Sequence, residues 1–246
     1  MQVLIPAAGP GPDPGVIPPA FADVHGSPAI AHAIRTCLLA QPDARVAAVL
    51  DREQDRRFGL RAILAREAPG CAIALAGGPT CGALCTAMLA ADLIDPSDSL
   101  VVVLADVFIA GGIADALAGF ENSKAEAGVI VFPATGPRWS YARLDDRGHV
   151  AEVVEKSPIS EFATAGVYWY RHAASFLRSA EAAIRNDRAF DGRFYIAPSL
   201  NEIVAAGGVV RHWLVERDRF HALSLPEDVA RMAALLAPDA DTLGDR

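Results

Sequence analysis

Leu100-Val101-Val102-Val103-Leu104-Ala105-Asp106 is an unbroken apolar run that ends on a single acid. A strand of a half-solvated sheet alternates polar and apolar residues. A run that is apolar at every position predicts a strand covered on both faces, as in a parallel sheet between helices. Residues 100–105 are therefore read as a buried strand, and Asp106 as the residue just beyond its carboxyl end.

Upstream the same unit repeats. Residues 2–5 form an apolar run, a Pro- and Gly-rich loop extends to about Pro19, and a helical pattern follows over 28–39. Val46 to Leu50 is a β-branched and apolar run, and Asp51 is placed to cap a helix over 52–66. Cys71 to Ala76 reads as another strand, with Thr80 as the N-cap of a helix near 81–94. Alternating strands and helices predict a doubly wound, Rossmann-like α/β sheet whose ligands gather at the carboxyl ends of its strands. After residue 125 the rhythm changes to strands at 127–133, 140–144, 149–154 and 163–170, with Asp145-Asp146-Arg147-Gly148 as a turn. Helices are expected at 173–186, 198–206 and 226–236, with a strand at about 208–216, so the sheet should be mixed. One domain over 1–236 is expected, made of halves 1–124 and 125–236, with a frayed tail over 237–246.

Composition narrows the function. A formal charge of −8 over 246 residues argues against a nucleic-acid surface, which needs clustered cations. No apolar run approaches the roughly 20 residues that span a bilayer. Nothing resembling a basic leader precedes Val3, so a cytoplasmic protein with no membrane partner is expected. Cys37, Cys71, Cys81 and Cys85 lack paired spacing and read as reduced core thiols. Lys124 and Lys156 are the only lysines among 22 basic residues.

Four segments carry chemistry. Ala7-Ala8-Gly9-Pro10-Gly11 follows the first strand, where side-chain-free backbone lets a nucleotide approach. Thr80-Cys81-Gly82-Ala83 turns into a helix, and Asp106 offers a hard carboxylate oxygen at a strand end. The fourth is Pro137-Arg138-Trp139-Ser140-Tyr141, then Val153-Val154-Glu155-Lys156-Ser157-Pro158, then Ala165-Gly166-Val167-Tyr168. Phe194 to Glu202, including Asn201, and Pro226-Glu227-Asp228 follow in order.

This series resembles the sugar-phosphate nucleotidyltransferases of the GT-A-like fold, particularly capsule-type members, over roughly residues 1–232. The resemblance implies that Ala7, Ala8, Gly9, Gly11, Thr80 and Gly82 surround a nucleotide and that Asp106 holds Mg²⁺ or Mn²⁺. It implies that Tyr141, Glu155, Lys156, Gly166 and Asn201 form the acceptor pocket, with Lys156 on the acceptor phosphate. The partners would be a nucleoside triphosphate and a phosphorylated small acceptor; a homo-oligomer stays open.

Departures from the pattern matter as much. Asp13 stands where the family has arginine, Pro18-Pro19-Ala20 replaces a lysine-bearing segment, and Ala222 stands where many members carry a second metal-binding aspartate. One charge pair at about 4 Å is worth roughly 4 kcal/mol at an effective dielectric near 20, so losing both phosphate-binding cations is a large change. Three readings follow: a metal-dependent nucleotidyltransferase, a non-catalytic relative that binds a phosphorylated metabolite or a partner, and a glycosyltransferase of the same fold. The last would want a DxD-type pair at the fourth strand, whereas Leu104-Ala105-Asp106 supplies one acid.

Overall fold

In the computed structural model, which describes residues 1–9, 18, 21–24 and 26–236, the expected strands assemble into one nine-stranded sheet. β1 (Gln2–Ala7) lies between β4 (Arg45–Asp51) and β6 (Leu100–Val103), and β5 (Ala72–Ala76) pairs β4, all parallel. The apolar runs are explained by their surroundings. Val101 and Val103 pack into one core with Ile30, Ile34 and Leu64, while Leu100 and Val102 pack into a second core with Leu84, Phe176 and Leu200. Successive side chains of one strand thus enter opposite cores, and neither face has room for a polar residue.

Helices α1 (Ala29–Ala40), α2 (Arg52–Phe58), α3 (Leu60–Glu67) and α5 (Ala114–Glu121) supply apolar residues to the first core. α4 (Ala83–Met88), α6 (Ala173–Arg185) and α7 (Ile196–Ala205) supply the second. The helix expected over 52–66 is two helices, because Gly59 adopts the left-handed conformation (φ 65°) between them. Asp51 caps α2 as expected, accepting from the Gln54 N–H at 2.9 Å. Thr80 caps nothing: the residue before α4 is Gly82, and the Thr80 hydroxyl is used on the Thr86 hydroxyl (2.6 Å) and the Gly82 carbonyl (3.2 Å). The cysteines also divide. Cys37 is a core thiol, but Cys81 is exposed.

The second half turns on β11 (Phe162–Tyr170). Its Val167–Tyr170 end runs antiparallel to β6, and the same strand pairs β8 (Ala127–Pro133), which in turn pairs β12 (Val210–Leu214) in parallel. The register of β11 against β8 shifts between Thr164 and Tyr168, a bulge centred on Gly166 (φ 73°). A side chain there would need a rare backbone conformation and would sit 2.8 Å from a Val107 methyl. β9 (Ser140–Leu144) and β10 (Val150–Glu155) extend the sheet from the other end of β11, joined by the expected turn, whose Gly148 N–H donates to the Asp145 carbonyl.

Four short strands were not foreseen: β2 (Asp23–Val24) and β3 (Ser27–Pro28), which pair with each other, and two more beyond β6. The run expected to continue to residue 105 stops at Val103, because the Leu104 N–H turns to the Gly166 carbonyl (2.9 Å). The chain then enters β7 (Val107–Ile109), which pairs β13 (Phe220–Ala222). The Leu223 N–H donates to the Asp106 carbonyl at 2.7 Å, so the approach to α8 (Pro226–Leu236) is laid against the end of β6. No helix among the described residues is long and apolar enough to cross a membrane.

Candidate active site

Two cavities open at the carboxyl ends of the strands and meet at Asp106. The first, about 250 Å³, is walled by the β11 bulge, the end of β10 and the residues before α7; we call it the Glu155 cavity. The second, about 260 Å³, runs from Pro6, Ala7 and Gly9 at the end of β1 to Asp106; we call it the Gly9 cavity. Ala83, Leu104, Asp106 and Ser224 belong to both walls. The carboxylate at their junction is desolvated. Burial pushes its pKa up, against a Ser224 hydrogen bond, its own backbone N–H and the Arg138 charge, all of which pull it down. Ser224 was not singled out from sequence, and only its place two residues beyond β13 brings it here.

Glu155 and Lys156 part company at the end of β10. Glu155 is 6% exposed and accepts a hydrogen bond from the hydroxyl of Ser140, its partner across the β9–β10 ladder. Burial raises the Glu155 pKa, with the Ser140 hydrogen bond and the Lys156 charge working the other way. A surface ion pair is thereby excluded as an account of this dipeptide. Lys156 takes a left-handed backbone (φ 52°), rare outside glycine, fixed by its N–H donating to the Trp139 carbonyl at 2.9 Å. Its ammonium stands 5.7 Å from the Phe190 ring centre, 5.6 Å from that of Tyr195, and 3.4 Å from the Tyr195 hydroxyl.

Not every expected residue reaches a cavity. Gly166 lies on the Glu155 cavity wall. Tyr141 does not: it follows Ser140 on the strand, so it points to the other face, where its hydroxyl donates to the Gly136 carbonyl at 2.6 Å. Asn201 is also elsewhere. Its amide carbonyl accepts from the Val153 N–H (2.7 Å) and its NH₂ donates to the Val153 carbonyl (2.8 Å), clipping α7 to the outer edge of the sheet's end strand. Ala8 is buried in the second core beside Leu4. Gly82 (φ 112°) packs on backbone: an added Cβ would overlap the Phe194 carbonyl oxygen and lie 2.8 Å from the Phe194 nitrogen. The Phe194 N–H donates to the Cys81 carbonyl (2.7 Å) and its carbonyl accepts from Leu84 (3.1 Å), so this loop positions the neighbouring Tyr195. Gly11, Asp13 and Pro19 lie outside the described residues.

Arg138 was quoted within a motif but assigned no role. Its side chain lies on the Glu155 cavity wall, stacks 4.5 Å over Trp139 and pairs with Asp228, which is 3% exposed. Asp228 also accepts from the Leu225 N–H (3.2 Å), the reciprocal half of a capping box at the start of α8.

A family model described as Nucleotidyl transferase matches residues 15–191. No curated protein matches the sequence. Among solved structures, a nucleoside-diphosphate-sugar pyrophosphorylase from Vibrio cholerae RC9 superposes with a TM-score of 0.82 at 20% identity, over 95% of this chain and 100% of that one. A protein named as a glucose-1-phosphate thymidylyltransferase from Bacillus anthracis, in complex with sucrose, gives 0.76 at 21% identity over 95% and 94%. A UDP-glucose pyrophosphorylase complexed with UDP-glucose gives 0.76 at 16% identity over 95% and 97%. At these identities the likeness is one of fold.

Proposed function

The chain belongs to the nucleotidyl transferase family, and on that premise we propose that it joins a nucleoside triphosphate to a phosphorylated small acceptor, such as a sugar phosphate, at Asp106. An acceptor phosphate oxygen attacks the α-phosphorus in line, the bond from that phosphorus to the β-phosphate bridging oxygen breaks, and pyrophosphate leaves. The single observation that carries this is the pair of cavities with Asp106 in their common wall. Two ligands seated side by side would present their phosphates to one another there, and such transfers depend chiefly on positioning and charge neutralisation.

The Gly9 cavity takes the nucleotide, whose approach to Ala7 and Gly9 needs little side chain. The Glu155 cavity takes the acceptor: Glu155 accepts from its hydroxyls and Lys156 meets its phosphate, a point charge with three donors on a monoester. Gly166 leaves the floor open. Gly82 and Thr80 shape the loop beneath rather than touching ligand.

The donor set fits a metal carried in by substrate. Among the described residues no three His, Cys, Asp or Glu side chains come together to hold an ion unaided, and Mg²⁺ commonly takes one or two carboxylates and fills its shell with water and phosphate oxygens. Asp106 would be the protein ligand, with Ser224 beside it. When bound, Mg²⁺ or Mn²⁺ neutralises charge on the phosphates. A cytoplasmic role supplying an NDP-linked donor for polysaccharide assembly completes the reading, supported by the likeness to capsule-type sequences.

The test is pyrophosphate release, screened over four nucleoside triphosphates and a panel of sugar, polyol and amino-acid phosphates, with Mg²⁺, Mn²⁺ or EDTA. Turnover with at least one pair, abolished by EDTA, is expected. Silence across the panel, while a pyrophosphorylase control turns over, overturns the reading.

A further inference from the structure

Beyond Arg138 lies a third cavity of about 440 Å³, which shares Arg138, Trp139, Phe220 and Ala222 with the Glu155 cavity. Three guanidinium groups face it, those of Arg138, Arg217 and Arg231, against the carboxylates of Asp228 and Asp218. Asp228 is already divided among Arg138, Arg231 (3.6 Å) and the Leu225 N–H, so it leaves the two arginines with a net positive charge. Arg217 is spent on no carboxylate among the described residues. It donates to the Phe220 carbonyl at 2.9 Å and lies 5.2 Å from the Phe132 ring centre. His221, in the same wall, is held below its usual range chiefly by burial, with the Arg217 and Arg231 charges adding to the effect and Asp218 opposing it.

The Glu155 cavity therefore has cations at two places, Lys156 on one rim and Arg138 where the third cavity begins. A phosphate monoester needs only the first. We propose that the acceptor carries a second anionic group, a carboxylate, which reaches past Trp139 to Arg138 and is held there with Arg217 and Arg231. This rests on the assignment of the Glu155 cavity to the acceptor. A fork of guanidinium donors suits a planar carboxylate, and a guanidinium is desolvated more readily than an ammonium. Arg138 acts on this reading as a specificity residue, remote from the reacting phosphorus.

Calorimetry on the full chain with matched pairs tests it: α-D-glucuronate 1-phosphate against α-D-glucose 1-phosphate, and 3-phosphoglycerate against glycerol 3-phosphate. The carboxylate-bearing member of at least one pair should bind about tenfold or more tighter. Arg138→Gln should bring the members of that pair to within about twofold of each other while changing the neutral member less than about threefold. Because Arg138→Gln strands the buried Asp228, Arg217→Gln, which leaves that ion pair intact, provides the second variant and should lower the preference severalfold. Equal binding within both pairs, no binding by any of the four, or a preference that survives both substitutions overturns the proposal. Pyrophosphate release with neutral acceptors as efficient as with acidic ones would leave the transferase reading standing and remove this one. A carboxylate preference without turnover would do the reverse.

Discussion

Replacing Gly82 by alanine should damage the protein far more than its place in a surface loop suggests. Gly82 has φ 112° and ψ 172°, a region almost confined to glycine. Its new Cβ would meet the Phe194 carbonyl oxygen, the nitrogen at 2.8 Å and the carbonyl carbon at 3.0 Å. These are backbone atoms, which cannot swing aside as a side chain can. Holding alanine in that conformation costs about 1–3 kcal/mol. Relief requires Phe194 to move, with loss of its bonds to Cys81 and Leu84, each worth about 0.5–1.5 kcal/mol net. A loss of about 2–6 kcal/mol follows, a large part of the roughly 5–15 kcal/mol that holds a typical domain. Urea titration followed by intrinsic fluorescence measures it, with a fall in melting temperature of roughly 10 °C expected. Gly78→Ala is the control, since an added Cβ there meets nothing within 4 Å, and it should be neutral to within about 0.5 kcal/mol. Equal midpoints for wild type and Gly82→Ala would refute the claim that the Phe194 bridge is rigid.

Asp106→Asn should stabilise the metal-free protein while abolishing turnover. The folded-state pKa of Asp106 is raised by burial, so both states are protonated in strong acid. The penalty of the charged form begins as pH rises past the unfolded value near 4 and grows until the folded value is passed. The melting-temperature advantage of Asp106→Asn should therefore be absent at about pH 3.5 and present at pH 7.5, and a constant difference would contradict it. Lys156→Ala should weaken a phosphorylated acceptor by about 1.5–3 kcal/mol with little effect on melting temperature; unchanged affinity for every phosphorylated ligand would remove Lys156 from the site. Asn201→Ala should do the opposite. It leaves the Val153 N–H and carbonyl without partners, costing about 1–3 kcal/mol of stability, with the acceptor KM unchanged; a KM effect without destabilisation would return Asn201 to the pocket.

The parallel strands were legible because they are buried on both faces: Val101 and Val102 enter different cores, and the sequence must be apolar at each. β7 and β13 were not, because three residues such as Val107–Ile109 are too few for any period to register. The helix pattern over 52–66 runs through Gly59 without a break, yet the conformation that only glycine takes cheaply divides it. Within the site, Asp106, Gly9, Glu155, Lys156 and Gly166 were legible as segments and do face the two cavities. Tyr141 was quoted beside Ser140, and one step along a strand reverses the face, so the smaller residue is the one on the wall. The burial of Glu155 had no local signal. Glu155-Lys156-Ser157-Pro158 has the composition of a solvated turn, yet its acid is buried and takes a hydrogen bond from Ser140 opposite it, a neighbour fifteen residues away in sequence.

β11 pairs with β6, β8 and β9, so the middle of the sheet cannot be completed until late in synthesis. When Val103 leaves the ribosome, one side of β6 can already pair with β1 but the other has no strand to meet until Val167–Tyr170 arrives. At roughly 5–20 residues per second the intervening stretch takes on the order of several seconds. For that interval the nascent chain presents an open, wholly apolar strand edge, the kind of surface that recruits other unfinished chains. Yield in the cell should accordingly respond to translation speed between residues 104 and 170 more than to speed elsewhere.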